Sequence, residues 1–571
     1  MKSPSTSKKP KPEQTSKRPP RAPNSLLIYG LPLLIGFIFF GIVSVMMGRD
    51  NNWDLRNYHC YNPYSFFHGR LGFDYAPAQL QSFLNPGQDL PFYFLVTHFK
   101  PILAGFLMGG IHGLGFGLIF AIAYSLLSAK AFKVRLGISF LCAAVGVYGP
   151  VFICELGASE NDTLISLFVL ASILVLIRNL TLHDTLSSRN GRIALIVAGA
   201  LLGFAVGLKL TITIYAVGTA VALLFVAKNW RERFTAVGIW GVAFIVGFAI
   251  SAGHWMATLW SAYGNPLFPF YNHIFASPYF EAVELSDKRY MPQTLFQALT
   301  YPFQFFTRTR FTYLSYDFRD SRYAVVYVLA ILYLISLLVR RISASKPDKR
   351  DKKKSEKNPP KRILLGRSEQ FLLIFFLVSY IVWQVQFAII RYTAPLEALA
   401  MIVILILALH IFPKSKVQSL SAGAALTLGL AALIIVPTVK PVYHERLPWS
   451  STFFEVKAPQ LEDPAHTIVV IARDRPWAYL IPAFDPGVRF VSVRSNLTAP
   501  DRPTRLQSEM RALLQSHQGP IYLLSRREFV REDAETLKAY QLSLKSLEGQ
   551  SIKSQHEKDG LGLWPVSRIE G

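Results

Sequence analysis

Cysteine is nearly absent: Cys60, Cys142 and Cys154 are the only thiols in 571 residues. Three scattered thiols, with no Cys-x-x-Cys pair among them, exclude a disulfide framework and a cysteine-built metal site. Charge is scarce too. Only 17% of residues are Asp, Glu, Lys or Arg, where a soluble protein carries about a quarter, and this excludes a string of soluble domains despite the length. Acids are the scarcer sign, 36 against 60 basic residues. A net charge of +24 ordinarily points to nucleic acid, but its placement excludes that reading. Residues 1–25 hold seven basic residues against one acid, and Arg340–Arg367 hold twelve against three. Those two segments supply fifteen of the twenty-four excess charges, and both adjoin apolar runs. Positive charge beside a span fixes orientation by staying in the cytoplasm, with contact to anionic lipid as a lesser role.

What is present is hydrophobic sequence, 51% of the chain. Runs near 26–47, 106–127, 136–156, 164–177, 193–208, 212–227, 236–252, 324–339, 371–387, 394–411 and 420–436 read as about eleven transmembrane helices. The first lacks a cleavage site and reads as an uncleaved signal-anchor after a disordered basic cytoplasmic tail, 1–25. With the N-terminus inside, every basic connection, including the loop 340–369, falls on the cytoplasmic side. The long loops 48–100 and 254–322 and the segment 438–571 fall outside. Adding or deleting one span would expose the Arg340–Arg367 run, so an odd count fits the charge.

Residues 438–571 read as a small soluble α/β domain. Strand-like runs at Thr467–Ala472, Val488–Val493, Pro520–Leu524 and Leu561–Val566 alternate with helical patterns at Arg505–Ser516 and Arg531–Tyr540. No glycine fingerprint, metal cluster or nucleophile elbow occurs in it, which favours support or acceptor positioning over catalysis.

Chemistry is expected in the outer loops. Asp54 lies just past the first span, and a helix starting there puts Tyr58 on its face at i, i+4. A carboxylate at that place can take a proton, hold a divalent cation, or merely cap a helix. His59 and His68 lack a third ligand for zinc. Asp162 opens the fourth span after Ser159-Glu160-Asn161. Lys209 and Arg391 fall at outer helix ends, where they either hold a phosphate or anchor the interface. Asp317-Phe-Arg319-Asp320 reads as a site lining or a salt-bridged turn, and Asn265-Pro266 with Pro269 as a loop former.

The order of these features resembles the GT-C membrane glycosyltransferases, which include lipid A aminoarabinose transferases and protein O-mannosyltransferases. The resemblance rests on several features taken in order. These are Asp54 with Tyr58, Asn85-Pro86, Pro91-Phe-Tyr-Phe, Glu160-Asn-Asp162, Gly207-Leu-Lys209, Tyr263 to Asn272, Trp383, and Arg391-Tyr392 with Pro395. It covers roughly 26–412 and departs at Leu55, which stands where the class places a second acid. It implies a glycosyltransferase moving a sugar from a polyprenyl-phosphate donor to a glycan, lipid or protein acceptor. The implied setting is the periplasmic face of a bacterial inner membrane. On that reading Asp54 and Asp162 are catalytic, Lys209 and Arg391 bind the donor phosphate, and Tyr58, His59, Asn265 and Tyr392 line the substrate. A divalent cation on Asp54 and Asp162 is the one cofactor the pattern admits. A flippase of lipid-linked glycans and a non-catalytic scaffold of the same fold are the competing readings.

Overall fold

The computed structural model describes residues 25–183, 185–305, 318–344, 365–413, 419–440, 445–557 and 560–569. Asp317 lies outside the described residues, as do the tail to residue 24 and residues 345–364 of the basic loop.

The described chain is a polytopic helical bundle carrying a C-terminal α/β domain. The apolar runs lie on helices α1 Ser25–Met47, α2 Pro101–Leu126, α3 Phe132–Val147, α4 Asp162–His183, α5 Arg189–Leu208, α6 Thr213–Val226, α7 Trp230–Tyr263, α8 Arg322–Ala344, α9 Arg367–Gln386, α10 Ala394–Ile411 and α11 Ala422–Thr438, and one of the runs extends past α3. A helix satisfies its own backbone polar groups, which lipid cannot do for it. Among the described residues eight helices are long and apolar enough to cross a membrane; α3, α6 and α11 are shorter. The apolar stretch through α10 is 89% buried and that of α1 17%, so α10 is the bundle's centre and α1 its rim. Apart from Glu397 and His410, α10 is apolar on every face, as suits a helix surrounded by others.

Two helix pairs are pressed together through glycine. A Cβ on Gly36 of α1 would lie 2.2 Å from the Gly113 carbonyl of α2. One on Gly203 of α5 would lie 1.9 Å from the Phe244 carbonyl of α7. Only hydrogen fits there, and such seams let membrane helices pack backbone to backbone.

Three boundaries differ from the sequence reading. The run expected at 136–156 breaks at Tyr148-Gly149, because Pro150 starts a separate short helix, Pro150–Glu155. The loop expected from His254 is still helix to Tyr263, ended by Gly264 in the left-handed conformation (φ +67°). Beyond Asp54 the backbone forms a π-helical turn, Leu55–His59, before the helix Tyr61–Phe67. Its wider pitch departs from the i, i+4 alignment expected for Tyr58.

The C-terminal domain contains a six-stranded sheet. Five of its strands, β1 Ile468–Ile471, β2 Arg489–Ser492, β3 Ile521–Arg526, β4 Leu542–Leu544 and β5 Leu561–Arg568, lie in the order β2-β1-β3-β5-β4, and the sixth, Gln550–Ser551, pairs with β5 off this path. β1 runs parallel to β2 and β3, while β5 is antiparallel to β3 and β4. Side chains alternate along β1. Ile468 and Val470 share an apolar cluster with Tyr263 at the end of α7 and Phe268 of the loop after it, and Val469 and Ile471 share one with Tyr58 and Tyr61 of the loop after α1. The sheet is thereby seated on both loops. A two-residue ladder, Arg49–Asp50 against Arg446–Leu447, joins the first loop to the start of the domain.

Candidate active site

Asp54, Asp162, Lys209 and Arg391 meet at one point, at the loop end of the bundle. Each is delivered by a different element. Asp54 precedes the π-helical turn, Asp162 opens α4, Lys209 is the extended residue closing α5, and Arg391 sits in the 3₁₀ turn Ile390–Thr393 that leads into α10.

Arg391 Nη1 donates to Asp54 Oδ2 at 2.9 Å and lies 3.7 Å from Glu160 Oε1, while its Nε is 3.7 Å from Asp162 Oδ2. Lys209 Nζ pairs with Asp162 Oδ1 at 2.6 Å and donates to Asn161 Oδ1 at 2.9 Å. The Tyr392 ring lies beside both cations, 5.7 Å from Lys209 Nζ and 5.5 Å from the Arg391 guanidinium carbon. Asp54, Lys209 and Arg391 keep 13–14% side-chain exposure against 3% for Asp162. Those three therefore front the site, and Asp162 stands behind them holding Lys209.

The frame around the cluster is built from buried hydrogen bonds. Trp383 Nε1 donates to the Ile389 carbonyl at 2.7 Å, Tyr215 to that of Tyr392 at 2.6 Å, and Tyr323 to Thr393 Oγ1 at 2.8 Å, which fixes the turn bearing Arg391. The acidic turn is held by Asp50, whose Oδ2 accepts from the Ser159 amide at 2.8 Å. Asp320 is engaged with Arg322 at 2.5 Å, and Arg322 donates to the Glu397 carbonyl at 2.8 Å and the Tyr148 carbonyl at 2.7 Å. Asp320 is thus one half of a salt-bridged turn that braces the bundle.

His59 was expected to line the substrate, and a partner explains its place. Its Nδ1 meets Asp89 Oδ1 at 2.5 Å with both side chains buried, and Asn161 Nδ2 donates to the same Asp89 oxygen at 3.1 Å. Asn161 therefore links the His59–Asp89 pair to Lys209. Burial works against charge on His59, but the Asp89 carboxylate outweighs it and raises the imidazole above its usual value. Burial likewise pushes Asp54 up, yet Arg391, His59 and Lys209 together hold it below the usual carboxylate range. Tyr58, buried beside Asp54, stays a neutral phenol because desolvation lifts it well above the ordinary tyrosine value.

Asn265 does not join the cluster. It is folded into its own loop, donating to the Phe270 carbonyl at 3.0 Å and accepting from the Leu267 amide at 2.9 Å. His68 stacks on Tyr64 and is bonded to that residue's carbonyl at 2.8 Å, separate from His59 and its Asp89 partner. Among the described residues no three His, Cys, Asp or Glu side chains are grouped to hold a metal ion. Asp54 and Asp162 instead face Arg391 and Lys209. Leu55, standing where a second acid was expected, is fully buried with Phe92, Met108 and Phe453 as an apolar anchor. Two members of the site escaped the sequence reading. Asp89 follows Asn85-Pro86 with no motif of its own, and Asn161 was passed over between two acids; hydrogen-bonding geometry alone reveals them.

No family model matches the chain, and no curated protein matches it in sequence. Two solved structures of ArnT from Cupriavidus metallidurans are similar to it in shape. One is bound to undecaprenyl phosphate and covers 95% of this chain and 97% of its own; the other is the apo state, covering 95% and 98%. Each is 12% identical with a TM-score of 0.40.

Proposed function

We propose that this chain is a membrane glycosyltransferase that moves a sugar from a polyprenyl-phosphate donor to an acceptor hydroxyl or amine. The observation that carries the reading is the convergence of Asp54, Asp162, Lys209 and Arg391, from four elements far apart in sequence, on one partly exposed point at the helix ends. A lipid-phosphate sugar needs this combination. Its tail stays in the bilayer, its phosphate requires cations at the interface, and its acceptor requires a carboxylate base.

In the resting site the cations are matched by carboxylates. Donor phosphate takes Lys209 and Arg391 from Asp162 and Asp54. Transfer then breaks the bond between the anomeric carbon and the phosphate oxygen, with the electron pair leaving on phosphate, where the two cations stabilise it. The acceptor forms its new bond to the anomeric carbon and passes its proton to Asp54. Phosphate binding also weakens the hold of Arg391 on Asp54, so the carboxylate becomes a stronger base when donor is present. A divalent cation would have to sit on Asp54 and Asp162 after both released their cations.

On this reading the cluster faces the periplasm of a bacterial inner membrane, with the N-terminus and the 340–369 loop cytoplasmic. The acceptor is a glycan, lipid or protein reached past the outer loops. Undecaprenyl phosphate, bound in one of the ArnT structures, is the first carrier to try. The test is purified protein with labelled polyprenyl-phosphate sugars, compared with Asp54→Asn. Turnover in the wild type and its loss in the variant support the reading. Equal turnover in both removes Asp54 from the mechanism, and lipid flipping without transfer makes the chain a transporter.

A further inference from the structure

The C-terminal sheet carries a second charged site that the transfer step does not use. β2, β1 and β3 are parallel neighbours in that order. The chain leaves β1 toward one side to form β2, then crosses over to form β3 on the other. The connections diverge at the carboxyl ends of β1 and β3, and open α/β sheets bind ligands in the crevice such a divergence leaves.

Arginines occupy that place. Arg473 and Arg475 follow β1 and Arg526 ends β3, and their guanidinium carbons lie 4.4, 5.3 and 5.7 Å from the centre of the Phe529 ring. Three like charges around one ring repel unless negative groups answer them. Arg473 meets Glu532 and Asp533, both at 2.7 Å, and Arg526 meets Glu528 at 3.0 Å. Arg475 is exposed, and its charge is felt by the adjoining Asp474. Among the described residues no ion pair joins it. The crevice also leads toward the transfer site. Glu557, 4.0 Å from Arg526, accepts from Trp477 Nε1 at 3.0 Å and pairs at 3.5 Å with Arg56, two residues from Asp54.

We infer that this crevice binds an acidic group, a phosphate or a carboxylate, carried by the acceptor. Arg475 supplies the guanidinium with donors to spare, and Phe529 supplies the flat face beside it. Guanidinium groups match oxyanions through paired N–H donors. Anion binding stands on the geometry of the sheet; the acceptor role rests on the transfer reading above.

The experiment is calorimetric titration of the full chain in detergent with inorganic phosphate, with an oligogalacturonate, and with a neutral maltooligosaccharide. One acidic probe binds, its identity separating phosphate from carboxylate, and the neutral sugar does not. Arg475→Gln weakens that binding about tenfold with an unchanged melting temperature, because the side chain is exposed. The inference falls if neither acid binds, if the neutral sugar binds as well as the acids, or if Arg475→Gln equals the wild type. Asp54→Asn separates the two readings, since it removes transfer and keeps anion binding. An acidic acceptor whose KM is unmoved by Arg475→Gln overturns the acceptor role.

Discussion

Arg391 donates to Asp54 at 2.9 Å across 337 positions of sequence. The contact ties the loop after α1 to the turn entering α10, the most buried of the eight long apolar helices, and places a cation and a carboxylate side by side where both stay partly exposed. In so partly buried a place the pair is set by its neighbours, because removing either partner leaves the other charge desolvated.

Asp54→Asn keeps the shape of the side chain and removes its charge. Transfer falls by roughly 10²- to 10⁴-fold, the usual contribution of a general base, while the KM for the lipid donor changes little. A steady-state assay over donor and acceptor concentrations checks the split. Undiminished turnover would remove Asp54 from the chemistry.

Arg391→Lys preserves charge and loses the forked donor. The donor KM rises by roughly ten- to a hundredfold, as expected for a charged hydrogen bond. Lys209→Met acts in the same direction. If the two residues serve one phosphate, their effects in a double-mutant cycle are not additive; simple additivity would place them on separate ligands.

The His59–Asp89 pair predicts how stability depends on pH. Asp89 raises the His59 value above its ordinary 6.5 despite burial. A raised value in the folded state means that the stabilisation is complete below about pH 6.5, the unfolded value, and disappears as pH climbs through the folded one. Asp89→Asn removes the chief opposition to burial and leaves only Asp54 to favour the charged ring, so the loss moves to lower pH. Melting temperature followed between about pH 6 and 9 reads this directly. Identical profiles for wild type and variant would show that Asp89 does not set the charge of His59.

Gly203→Ala drives a methyl group into the Phe244 carbonyl, 1.9 Å from the new Cβ. Overpacking of this kind costs about 1–3 kcal/mol or more, and here it parts α5 from α7. Lys209 closes α5 six residues on, so donor affinity falls together with melting temperature. Gly238→Ala, with no heavy atom within 4 Å of the new Cβ, is the neutral control.

Hydropathy made the helices legible because a span must be apolar along its length: ten of the eleven runs each lie on one helix, and the run 136–156 is split between two. The break at Gly149-Pro150 lay hidden inside one such run. The last turns of α7, from His254 to Tyr263, were hidden for the opposite reason: their polar and aromatic residues look like loop, and only Gly264 ends the helix. Four strands of the C-terminal sheet, β1, β2, β3 and β5, were legible from short apolar runs; Leu542–Leu544 and Gln550–Ser551 were too short and too polar to show. At the site, Asp54, Asp162, Lys209 and Arg391 could be picked out because ionisable residues are rare beside apolar runs. Asp89 and Asn161 could not, since their importance lies in whom they touch. Asn265 looked like a site residue for its setting among prolines and aromatics, yet its side chain is spent on its own loop.

The ladder between Arg49–Asp50 and Arg446–Leu447 makes the C-terminal lobe something other than cargo on a tether. Asp50, in the same ladder, also grips the Ser159 amide. A displacement of the lobe therefore reaches, through Asp50 and Ser159, the turn bearing Glu160 and Asp162. The lobe and the charged cluster share one joint.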